Sequence, residues 1–182
     1  MASSEIHGAR TVSGNQPLIQ RQIEELSQTF LAGTPVSVAA GDGGVQAWDG
    51  VTIPLGIAGF STEFASNLSA TGVPRTLTFG SVPYEPNAVN IPRGAPLNDG
   101  RIGYEVANSD TIFHGQVGPL QTTAPTDVGA AYGMTKDADG HWFVDKTKTG
   151  ASAVVTVVKL DTVDTIRGVY FTVLPASQQF QY

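Results

Sequence analysis

The chain has 182 residues, a net charge of −6, 41% apolar and only 14% charged side chains, and no cysteine. That length can bury a real core, and the missing cysteine excludes disulfides, thiolate metal sites and cysteine nucleophiles. The 10 Lys and Arg are scattered, which disfavours binding to a phosphate backbone, and no run nears the roughly 18 apolar residues of a membrane span.

In chain order, residues 1–17 are small, polar and without periodicity, which reads as a flexible or extended arm. The arm lacks a basic stretch leading into an apolar core, so no secretory signal is expected and synthesis in a cytoplasm is. In "LIQRQIEELSQTF", Ile19, Ile23, Leu26 and Phe30 are spaced for one face of a short helix, although "SQTFLAGTPVSV" already alternates like a strand. So short a helix needs tertiary support, and both readings stay open.

From Gly33 the texture is short β-runs split by turn residues. "TPVSVAA" and "VQAW" around "GDGG" form a hairpin. Asp49-Gly50 turns into "TIPLGIAGF", where Pro54 marks an edge or strand start and Gly56 and Gly59 a bulge or close backbone approach. "RTLTFGSV" alternates strictly. The segment from Pro83 to Gly100 is proline-rich and irregular, and loops of that length usually bind something or wrap a neighbour. "RIGYEV", "TIFHGQVG", a hairpin "AAYGMTKDADGHWFVDKT" turning at Asp139-Gly140, "SAVVTVVKL" and "RGVYFTVLP" complete about nine or ten strands, spaced as in a barrel or sandwich. No repeat of fixed period is visible.

Candidate chemistry is thin. His7, His114 and His141 show no zinc-ligand spacing and no serine occupies a G-x-S-x-G elbow, so all three read as arm, turn or strand-surface residues. "DADG" at Asp137 to Gly140 has its glycine too early for a calcium loop, and Lys148 stands where the twelfth-position acid belongs. "GDGG" precedes a strand, so it offers no helix N-terminus to a phosphate. The pairs Glu24/Glu25, Asp137/Asp139 and Asp161/Asp164 read as solvated loop carboxylates. Trp142 and Phe143 are strand neighbours, as are Tyr170 and Phe171, so each pair faces opposite ways and one of each is a candidate for the surface. The reading is of no enzyme, no cofactor and no metal.

Architecture carries the remaining information. Thr34-Pro35 at a strand entry, Ala47-Trp48-Asp49-Gly50 at a corner and Gly56-Ile57-Ala58 after it make a stretch that resembles the head-decoration, or capsid cement, proteins of lambda-like tailed bacteriophages. "DVGAAYGMTKDADGHWFVDKTKT" and the strands after it are similar to the C-terminal part of small phage structural proteins. The resemblance implies a mainly β protein: a small β-barrel or β-tulip-like domain (33–120, with the Pro-rich loop 83–100), C-terminal strands that complete or extend it (121–182), and an extended N-terminal arm (1–32).

It also implies a structural virion protein on the exterior of an icosahedral capsid, often a homotrimer. Its partner would be the major capsid protein, whose neighbouring subunits it would cement, with no direct contact to nucleic acid or membrane. The expected capsid contacts are Ser3, Glu5, Ile6, Arg10, Val12 and Leu18 of the arm, and Tyr84, Asn90, Ile91 and Arg93 of the Pro-rich loop. Deleting residues 1–17 is then expected to leave a folded β-protein that no longer decorates the shell. The alternative is a β-sandwich carbohydrate-binding module of a phage tail or adhesin, which would present Trp48 or Trp142 to glycans. A hydrolase on a β-scaffold is the third reading and needs His, Asp and Ser side chains to converge.

Overall fold

A computed structural model describes residues 10–13, 18–25, 27–39, 43–50, 56–65, 77–79, 82–84 and 101–180. Thirteen strands are present among them, with three short 3-10 turns and no α-helix. The mainly β, barrel-like expectation holds.

Two antiparallel sheets carry the fold. The first joins β2 (Ile19–Ile23), β3 (Pro35–Val38), β4 (Val45–Ala47), β5 (Gly59–Ser61) and β8 (Arg101–Val106) in the order β2-β8-β5-β3-β4. The second joins β9 (Ile112–Gln116), β10 (Ala131–Lys136), β11 (Trp142–Asp145), β12 (Val155–Leu160) and β13 (Gly168–Val173) in the order β9-β13-β12-β10-β11, with β1 (Arg10–Ser13) added outside β9. β6 (Leu77–Phe79) and β7 (Val82–Tyr84) form a separate hairpin.

The sheets part at residues 107–111, so β9, which the sequence reading grouped with the first half, belongs to the second. In each sheet one parallel bridge links the segment after the first strand to the third, Glu24 with Val45 beside β2 and β4, and Val117 with Val144 beside β9 and β11.

The helical alternative for the stretch from Ile19 is not what forms. The edge of β8 offers a full ladder, and Ile19 to Ile23 pairs with it from Glu105 to Arg101. Likewise, part of the expected arm is built into the fold, because Arg10 and Thr11 pair with His114 and Phe113. Deleting residues 1–17 would therefore strip a strand from β9.

One apolar cluster fills the second sheet and extends into the first: Phe113, Val144, Val157 and Phe171 pack with Trp48, Ile57 and Phe60. Phe60 meets Phe113 at 4.5 Å and Phe171 at 5.8 Å between ring centroids. A second cluster, with Val36, Ile102 and Tyr104, lies within the first sheet. The C-terminal segment staples the halves together. Ile57 N–H donates to Ser177, Gln179 N–H donates to Ile57, and the Gln179 amide bonds both the N–H and the C=O of Val38. Gly56 has a φ of +61°, and a Cβ there would lie 2.8 Å from the Gln179 nitrogen, so the close approach anticipated at this glycine is real.

Candidate interaction surface

Among the described residues, His114 and the aspartates of the second half fix loops. His114 is not a strand-surface residue: it is 2% exposed, and its Nε2 lies 2.8 Å from Asp161 Oδ2. Tyr170 stacks on the imidazole at 4.8 Å, and the Lys159 ammonium sits over Tyr170 at 5.8 Å. The other ring nitrogen, Nδ1, is buried without a hydrogen-bond partner. A base of a catalytic dyad needs that nitrogen turned to a reactant; here it faces packed protein.

Asp161 also accepts the Val163 N–H at 2.8 Å. Burial works against the Asp161 charge, but the Val163 N–H and His114 outweigh it and hold the carboxyl below the usual carboxylate range. Asp164, read from sequence as a solvated turn residue, is bonded by the Gln116 amide at 2.7 Å and by the N–H groups of Ile166 and Arg167. Two residues two apart on β9, His114 and Gln116, thus hold two aspartates three apart in the β12–β13 loop. That i/i+2 against i/i+3 pattern is the one sequence signal that could have found this network.

The second cluster stands at the β10–β11 turn, where ligand atoms of Asp137, Asp139 and His141 lie within 4.8 Å of one another. Asp137 already accepts the N–H groups of Asp139 and His141 and contacts His141 Nδ1 at 3.3 Å. This is the geometry of a closed turn, as the sequence reading has it. An open, polar recess lined by Arg21, Gln22, Ile23, Gly43 and Arg101 is shallow; Arg21 is ion-paired there with the buried Glu63.

The anchored loop presents apolar side chains to solvent. Val163 is 92% exposed and Ile166 64%, while Leu120, on the connector after β9, is 99% exposed. The connector and the β12–β13 loop are tied together: Thr123 N–H and Oγ1 donate to Ile166 C=O, and Val117 N–H donates to Arg167 C=O. Both segments leave the same end of the second sheet, because β9 and β12 each run antiparallel to β13. Single exposed apolar residues are ordinary; these three stand on two segments hydrogen-bonded to each other at one end of the sheet. In the first sheet, the segment between the fourth and fifth strands, β5 and β8, is the long 62–100 stretch that holds β6–β7 and the Pro-rich loop. It takes the topological place that 161–167 takes in the second.

Of the expected contact residues, Ser3, Glu5, Ile6, Asn90, Ile91 and Arg93 lie outside the described residues. Arg10 and Val12 are in β1, Tyr84 is in β7, and Leu18 is 53% exposed beside β2. The surface at Leu120, Val163 and Ile166 was missed, because isolated apolar residues in turn-rich stretches look like any other loop. The expectation that Trp142 or Phe143 faces the surface is corrected: both are buried, at 6% and 8% exposed. Trp142 caps the core against Trp48, their rings 5.4 Å apart, while Phe143 is covered on its own side of the strand. The two tryptophans that a carbohydrate site would use are therefore core residues. Comparison with protein-family profiles, curated proteins and solved structures returned no match.

Proposed function

We propose that this chain is a structural virion protein that binds the outside of an icosahedral phage shell and cements neighbouring major capsid protein subunits, acting by contact and catalysing nothing. It works as a homotrimer on the capsid exterior, touching neither nucleic acid nor membrane. The observation that carries the reading is the apolar end of the second sheet, where Val163 and Ile166 stand in solvent on a loop held by His114–Asp161 and Gln116–Asp164, and Leu120 on the connector that Thr123 bonds to that loop. Burying each such side chain against a partner supplies about 1.5–3 kcal/mol, and little of it is lost to ordering, since the loops are already held. Resemblance of the Thr34–Ala58 stretch to lambda-like decoration proteins points to the same role.

The test is co-sedimentation with purified empty heads of the phage that encodes the chain. Wild type is expected to saturate the heads, and the double variant L120D/V163D to need at least tenfold more protein for half-occupancy. Wild type that stays in the supernatant at all concentrations would overturn the reading.

A further inference from the structure

The two sheets are copies of one topology. Numbered within its own half, each runs first-fifth-fourth-second-third, and in each the segment just after the first strand bridges in parallel to the third. Setting the bridging residues Glu24 and Val117 equivalent places Ile19 on Ile112 and Gln20 on Phe113. In the second half the outer edge at this place is covered: β1 lies antiparallel on it, with Ser13 opposite Ile112. In the first half no strand of the described residues covers it. Ile112 is half-buried, whereas Ile19 is 54% exposed, and its neighbours Leu18 and Ile23 are 53% and 63% exposed.

The backbone at Ile19 is oriented for pairing. Leu18 C=O accepts the Val106 N–H, while the N–H and C=O of Gly103, opposite Arg21, turn to Glu63 and Thr62 on the β5 side. In an antiparallel ladder bonded pairs alternate, so the N–H and C=O of Ile19 point away from β8. Ile19 thus keeps outward main-chain groups beside exposed apolar side chains, and the one charge on the strand, Arg21, is drawn to Glu63.

We infer that the outer edge of β2 around Ile19 is a docking edge for one extended antiparallel segment, and that a shell subunit supplies it; the identity of the donor rests on the function proposed above. The equivalent strand β1 sets the occupant's length at 4 residues. A second copy of this chain does not offer its β1 as donor, since that strand is already engaged on β9. Main-chain bonds give such a contact its strength, and the exposed side chains of Leu18 and Ile23 its register.

The probe is a synthetic peptide of residues 8–15, the strand that the equivalent edge takes, added to the full chain. Hydrogen exchange at the Ile19 amide is expected to slow at least tenfold; unchanged exchange at millimolar peptide overturns the docking edge whatever the shell does. The donor is tested on empty heads with Ile19→Pro, which removes only an outward N–H and should leave the melting temperature within a few degrees, and with Ile19→Lys as a second edge block. Both are expected to lower head occupancy at least tenfold while Ile19→Val does not. Full occupancy by both blocks, or wild-type dimers that both blocks dissolve, overturns the shell subunit as donor. Heads that bind no wild type at all sink the proposed function, and the peptide readout still decides the edge.

Discussion

Asp161 is buried yet charged because three groups meet it: the Val163 N–H, the His114 ring and the Asp164 N–H. Removing it leaves the imidazole with neither nitrogen bonded. Asp161→Ala is expected to cost about 1–3 kcal/mol in urea unfolding, the range for orphaning a buried polar partner, and to free the Val163 amide to exchange; an unchanged loop would contradict its anchoring role. Tyr132 offers a cleaner titration. Its hydroxyl donates to Asp127 at 2.7 Å, and that bond, with burial and the nearby charge, pushes the phenol up to about 12. A folded pKa above the unfolded value means the contribution is complete below the unfolded pKa and is lost as pH climbs through about 12. Ultraviolet titration is expected to show a late phenolate phase that shrinks by one tyrosine in Tyr132→Phe.

At the scale of elements, the alternating runs were readable because period-2 patterning and turn residues specify strands locally. The hairpins β3–β4 and β10–β11 follow directly from "GDGG" and "DADG". β2 was not decided that way: its Ile19, Ile23 spacing fits a helix, and only the β8 edge, 80 residues on in sequence, selects the strand. The β12–β13 loop shows the same limit, since His114 and Asp161 are 47 residues apart. Nor did any sequence period betray that the two sheets share a topology, because the repeat lies in pairing order and the first half carries the long insertion with β6–β7. The joint between the sheets makes a sharp prediction. Gly56→Ala puts a Cβ into the Gln179 backbone at positive φ, and a loss of about 1–3 kcal/mol is expected in chemical denaturation; a neutral result would show that the C-terminal staple shifts freely.

For the whole molecule, the carboxyls of Asp127, Asp137, Asp145, Asp161 and Asp164 are all held below the usual range; burial opposes this in each, and hydrogen bonds from Lys146, His141, Thr147, Val163 and Arg167 respectively lead the forces that overcome it. All five stand in the second half. A depressed folded pKa contributes stability above the unfolded value near 3.9 and loses it as pH falls through the folded one. Melting temperature is therefore expected to fall steeply below about pH 4, with near-ultraviolet signals of Trp142 lost in the same transition. Those carboxylates fix loops, as the proposed role of a contact scaffold requires.

Hydroxyl-radical footprinting of the chain bound to empty heads tests that account most directly. Leu120, Val163 and Ile166 are expected to lose most of their labelling on the heads while Val158, exposed at 37% on β12, keeps its own. Saturated heads on which all four side chains label as they do in free protein would contradict it.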